Sequence, residues 1–215
     1  MKTIPREARR VTYSTEIRTR KGIAFGDKEN AVIIGCILGD GSLEENWSKT
    51  NYRLHIIHQE LQLDYVRWKA QILNPWIISK PYHHLRTKSF RIRTISHSYL
   101  TKLRKIFYVG KRKVIPENIS FYLRDPLTIA IWYMDDGNII KRKGLVQGVH
   151  LNTHCFSKDE NIRLIKALSS IYGINAMLEK NKGKYRIAVY SRYPRECFLS
   201  LVGPYIVRSM KYKLG

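Results

Sequence analysis

Two short segments, Val32-Ile33-Ile34-Gly35-Cys36-Ile37-Leu38-Gly39-Asp40-Gly41 and Thr128-Ile129-Ala130-Ile131-Trp132-Tyr133-Met134-Asp135-Asp136-Gly137, say nearly the same thing at an offset of 96 residues. Each is an apolar, helix-like run that ends in an acid followed by glycine. Glycine closes a helix cheaply, because the left-handed backbone costs it nothing. The acid is misplaced: a carboxylate in the last turn faces the negative end of the macrodipole and loses about 0.3–1 kcal/mol. A helix built only for stability would end in Lys or Asn. This one ends in Asp twice, and two such carboxylates imply a cation between them.

The offset prompts a search for a wider repeat. Tyr52-Arg53-Leu54-His55-Ile56 and Val149-His150-Leu151-Asn152-Thr153-His154-Cys155 both alternate apolar and polar residues, as half-buried strands do. Helical patterns follow at 63–73 and 162–171. Second strands come next, at Phe90-Arg91-Ile92-Arg93-Thr94 and at 184–190, and helices close the halves at 99–107 and 195–202. Lys113 and Lys213 recur at an offset of 100. First strands of hairpins are expected around 42–47 and 77–82. The fold class is therefore α+β, with two pseudosymmetric αββαββα halves. The boundaries expected are a basic arm over 1–27, a first half over 28–110, a linker over 111–123 and a second half over 124–215. Asp125-Pro126 starts the second motif helix, as N-cap and first helical residue.

Charge narrows the partners. The chain has 39 Lys and Arg against 17 Asp and Glu, a net of +22 in 215 residues. A surface that basic suits a polyanion. No run approaches 18 uncharged apolar residues, and the basic residues are spread along the whole chain, which argues against membrane. Three widely spaced cysteines, Cys36, Cys155 and Cys197, read as reduced core residues without a zinc pattern. The basic arm is expected to lie on the ligand, and the Arg- and Thr-rich start leaves organelle import open.

A pseudo-twofold protein suits duplex DNA, whose strands are related by a local dyad. The motif helices are apolar all round, so they bury against each other, with Gly35, Gly39 and Ala130 permitting close approach. That packing brings Asp40 and Asp136 together. Two carboxylates so close need a counter-ion, and a hard divalent cation such as Mg²⁺ answers both that and the dipole problem.

Ile33 to Gly41 and Ile129 to Gly137 resemble the two motifs of LAGLIDADG homing endonucleases, most closely the single-chain, intron-encoded, mitochondrial type. The resemblance covers nearly all of the chain after the arm, including Leu151-Asn152-Thr153 and the Lys-x-Ile-Pro segment at Lys113. It implies two antiparallel sheets forming a DNA-binding saddle, and a monomer that makes a staggered double-strand break at a long duplex target. Asp40 and Asp136 carry over as catalytic, metal-binding acids, with Mg²⁺ as the cofactor and Mn²⁺ as a substitute. Lys113 and Lys213 carry over as the basic residues of the active sites. Gly39 and Asp135 complete the candidate metal set. Two positions depart from the pattern, since Ile131 stands where the first motif has Gly35, and Asp135 where it has Gly39. Asp135 is favoured as a helix-end hydrogen-bonding acid over a third ligand.

Strand parity points Arg53, His55, Arg91, Arg93, His150, Asn152, His154, Lys184 and Arg186 outward to read bases, with Lys141 and Arg142 on phosphate. An intron-encoded RNA maturase of the same fold and a basic RNA-binding protein are the alternatives. An organelle or a prokaryotic cytoplasm is the expected compartment.

Overall fold

The computed structural model describes residues 14–215, and it divides into two compact units. One contains residues 14–30 and 41–105, and the other contains 31–40 and 106–215. The expected boundaries differ from this division. The motif part of helix α2 (Asp27–Leu38) clusters with the second half of the chain, because its apolar residues 31–38 are all buried.

In the first unit, Ser14 caps helix α1 (Thr15–Gly22) by accepting the Ile17 amide at 3.3 Å. Ile17 is buried with Trp76 and Ile95, and Phe25 stacks on Trp76 at 4.1 Å. The first 13 residues of the expected arm lie outside the described residues, but residues 14–25 do not form a free arm. Their apolar side chains build them into the unit. Strands β1 (Ser42–Glu45), β2 (Tyr52–Gln59), β3 (Tyr82–His84) and β4 (Ser89–Arg93) form an antiparallel sheet in the order β1-β2-β4-β3. Helix α3 (Leu63–Ile72) covers one face, where Lys69 Nζ sits 3.0 Å from His58 Nε2. Helix α4 (Ser98–Phe107) closes the repeat. The strand expected at 77–82 begins only at Tyr82. Trp76 is held in a tight turn by Ile23, whose carbonyl accepts its indole N–H at 3.2 Å, and its own carbonyl accepts from the Ile95 amide at 2.7 Å.

The second unit repeats the pattern. A short hairpin of β5 (Tyr108–Val109) and β6 (Arg112–Lys113) leads to α5 (Ile119–Tyr122). The expected linker is thus packed structure, with Ile115, Ile119 and Leu123 buried. Glu160 pins it by accepting from Arg112 at 2.8 Å and from the Ile115 amide at 3.2 Å. Helix α6 (Pro126–Asp136) starts as its sequence requires, with Asp125 Oδ1 accepting the Leu127 amide at 2.8 Å. Strands β7 (Gly137–Arg142), β8 (Leu145–Leu151), β9 (Met177–Asn181) and β10 (Lys184–Val189) form a sheet in the order β7-β8-β10-β9. Helices α7 (Lys158–Tyr172) and α8 (Arg192–Val202) cover one of its faces. Both sheets therefore share one topology, and the αββαββα repeat is present twice.

Candidate active site

The motif part of α2 and helix α6 meet at glycine. A Cβ on Gly35 would lie 2.7 Å from the Cβ of Ile131 and 2.9 Å from the Thr128 carbonyl. One on Gly39 would lie 2.5 Å from the Cβ of Asp135. The two departures from motif symmetry are thereby explained: each larger residue on α6 fills the space left by a glycine, Gly35 on α2 and Gly39 just past its end.

This contact brings the helix ends together within the second unit. Asp40 and Asp135 each place a carboxylate oxygen within 4.8 Å of the other. The Asp40 amide donates to Asp135 Oδ2 at 3.2 Å, the helix-end hydrogen bond expected of that acid. Burial pushes the Asp136 carboxyl up to about 7, and the neighbouring charges of Asp40 and Asp135 push the same way. Lys113 and Lys213 pull it down in part. Carboxyl groups crowded until one resists ionisation fit a hard divalent cation.

Both lysines take helix-end carbonyls. Lys113 Nζ donates to the Gly39 carbonyl at 2.6 Å. Lys213, only 8% exposed, donates to the carbonyls of Met134, of Tyr133 at 3.3 Å and of Asp135 at 3.5 Å. Each supplies the positive charge that a helix C-terminus favours and that its own sequence denies it. Burial lowers the Lys113 pKa, while Cys155, Asp136, Asp135 and Asp40 all favour its charged form. Gly39, a candidate metal ligand, has its carbonyl engaged by Lys113.

Some residues were not legible as part of this cluster. The Tyr133 hydroxyl donates to the Lys213 carbonyl at 2.6 Å, fixing the segment that carries the lysine. Cys155 is exposed rather than in the core, and its thiol is electrostatically coupled to Lys113 and Asp136. The local sequence carries no signal for either.

The sheet residues fall less simply. Arg53, Arg91 and Arg186 are half-buried, while Arg93, Lys184, Lys141 and Arg142 are exposed. The last two lie at a tight hairpin with Lys143 at φ 50° and Gly144 at φ 76°. His55 and His150 are on the face away from the helices, yet both are buried, at 4% and 6% exposed, under acids from other strands, Glu44 on the adjacent β1 and Glu179 on β9, one strand beyond β10. Asn152 and His154 are not strand residues, because β8 ends at Leu151. Beyond it the Asn152 amide donates to the Asp136 carbonyl at 3.0 Å, and buried Asn161 gathers Thr153 and the turn after it.

Residues 30–193 match the model of the LAGLIDADG DNA endonuclease family. The chain belongs to that family. A probable intron-encoded endonuclease 1 of Wickerhamomyces canadensis is 29% identical over 199 residues, 86% of this chain and 83% of that one. A RecA protein of Mycolicibacterium flavescens is 28% identical over 203 residues, 88% of this chain and 47% of that protein. The chain thus spans about half or less of the length of the RecA relatives it matches. The structure of the homing endonuclease I-WcaI bound to its DNA recognition sequence has a TM-score of 0.83 at 25% identity, covering 94% of this chain and 93% of that one. Among the described residues no helix is long and apolar enough to cross a membrane.

Proposed function

We propose that this chain, acting as a single-chain enzyme, recognises a long site in duplex DNA and hydrolyses one phosphodiester on each strand, leaving a staggered break. The observation that carries the reading is the convergence of Asp40, Asp135 and Asp136 at paired helix ends in a member of a DNA endonuclease family. Asp40 and Asp136 would hold Mg²⁺, which when bound supplies Lewis-acid polarisation of the phosphate and a more acidic water. The Asp136 carboxyl must first give up its proton, which it holds up to about pH 7. Asp135 keeps the Asp40 backbone in place through the amide it accepts. The Lys113 ammonium, steadied by the Gly39 carbonyl, opposes the negative charge that develops on the phosphate. Lys213 is more deeply buried and holds the end of α6, so that Asp136 keeps its aim.

The outward faces of the two sheets supply the reading groups, with Arg53, Arg91, Arg93, Lys184 and Arg186 nearest to base edges, and Lys141 and Arg142 on phosphate. The test is linearisation of a plasmid carrying the uninterrupted junction of the host gene, with Mg²⁺ and with EDTA. Asp40→Asn and Asp136→Asn should bind the duplex and leave it uncut. Full cutting by either variant overturns the site. Affinity that is flat between low and moderate salt overturns the duplex-binding reading, since each neutralised phosphate contributes about 0.9 to the log–log slope.

A further inference from the structure

Each four-stranded sheet carries one acid among the described strand residues of the face away from its helices: Glu44 on the first and Glu179 on the second. Neither stands free. Glu44 Oε1 lies 2.5 Å from His55 Nδ1, and its other oxygen lies 3.8 Å from Arg53 Nη2. Glu179 accepts from Arg186 Nε at 2.9 Å and also from Arg186 Nη2 and the Tyr190 hydroxyl. It lies 3.4 Å from His150 Nε2, which in turn is 2.9 Å from the Tyr190 hydroxyl. His55 and His150 occupy matching places, each on the second strand of its sheet. The acids come from different edges, Glu44 from the first strand and Glu179 from the third. The two halves therefore reach the same arrangement by separate routes.

In a chain of net charge +22 an acid on a face that meets phosphate costs affinity. What it adds is direction. A free arginine takes any phosphate, and phosphate contacts carry no sequence information. Arg186 has two of its five N–H donors on Glu179, so its guanidinium plane is fixed and the remaining edge suits a bidentate contact to guanine. On the first sheet His55 Nε2 and Arg53 Nε are buried nitrogens without a hydrogen-bond partner. Arg53 is half-buried, and Glu44 lies within ion-pair distance of one end of its guanidinium.

We infer that Glu44 and Glu179 are specificity-determining positioning residues: packed against buried His55 and His150, they hold Arg53 and Arg186 off the phosphate backbone and aimed at base edges. This rests on the DNA-endonuclease reading. The test uses the full chain, as wild type, Glu44→Gln and Glu179→Gln, in two measurements. One is selection from a pool of randomised duplexes followed by sequencing. The other is affinity for a single scrambled duplex across a salt series.

Wild type should enrich a defined sequence. Each variant should bind the scrambled duplex about tenfold more tightly at low salt, with a log–log slope steeper by about one, as one arginine is released to phosphate. Each should also lose enrichment over its own block of positions and keep that of the other. A variant that merely unfolds in part loses affinity instead, so weaker binding to every duplex overturns the inference. So do unchanged enrichment and an unchanged slope. If wild type binds duplex with no salt dependence and enriches nothing, the endonuclease reading itself fails, and the inference falls with it.

Discussion

The Asp40 amide and the Asp135 carboxylate are joined by a hydrogen bond of 3.2 Å, across a gap that exists only because residue 39 has no side chain. A methyl group on Gly39 would stand 2.7 Å from the Asp135 Oδ2 that accepts this bond. Gly39→Ala should therefore destabilise by about 1–3 kcal/mol through overpacking, and should abolish cutting by displacing Asp40. The double variant Gly39→Ala/Asp135→Gly transfers the space to the other helix. It should recover more than half of the lost stability in thermal melts, less up to about 1 kcal/mol for glycine within a helix. A double variant that melts no higher than Gly39→Ala alone would contradict this account of the contact.

Asp136 makes the metal-free protein sensitive to pH. Its carboxyl titrates near 3.8 when unfolded and at about 7 when folded. As pH rises from about 4 to about 7, the unfolded chain gives up this proton while the folded chain keeps it, so stability falls across that window and levels off above it. Asp136→Asn removes the effect. In EDTA at pH 8 the variant should be more stable than wild type by about 2–4 kcal/mol in urea unfolding, with no gain at pH 4. Added Mg²⁺ should stabilise wild type increasingly up to about pH 7, because protons compete for the same oxygens. Parallel pH profiles for the two proteins would refute the raised carboxyl.

Much of this was legible because it is periodic. The offset between Asp40 and Asp136, the alternation at Arg53 to Ile56 and the capped start at Asp125-Pro126 are local patterns, and each survives folding. Strand parity put His55 and His150 on the right face but could not reveal their burial, which depends on Glu44, 11 residues away, and Glu179, on another strand. Parity failed outright at Asn152 and His154, where buried Asn161 bends the chain out of the ladder. Similarly, Arg- and Thr-rich composition suggested a loose arm, whereas Ile17 and Phe25 tie part of it to Trp76 and Ile95. Composition averages over the few apolar residues that decide such a docking.

The two lysines should separate in their effects although the repeat makes them equivalent. Lys213 is buried on three carbonyls of α6, whereas Lys113 is half-buried on one carbonyl. Lys213→Met leaves those carbonyls without their charged donor and should cost about 2–3 kcal/mol of stability. Lys113→Met should cost about 1 kcal/mol or less, while its loss of cutting rate is at least as large. Guanidinium unfolding beside single-turnover cleavage checks the split. Equal stability losses would remove the structural role assigned to Lys213.

Asn161 acts on the site from a distance. Fully buried, it accepts from the Thr153 hydroxyl and donates to the Phe156 and Ser157 carbonyls at 3.2 and 2.9 Å. The turn it holds contains Asn152, whose amide meets the Asp136 carbonyl at 3.0 Å. Asn161→Ala takes the partner from the buried Thr153 hydroxyl and from the Phe156 carbonyl, while the Ser157 carbonyl keeps the backbone amide of residue 161, and this should cost about 1–3 kcal/mol. Because that turn steadies the end of α6 rather than either sheet, cutting should fall tenfold or more at a temperature where the variant remains folded. Duplex affinity should change less than twofold. Asn161→Asp keeps the acceptor for Thr153 and loses the two donors, so its cutting rate should fall between the two. Measured duplex affinity that drops in step with cutting would show that the turn supports binding rather than the acid cluster.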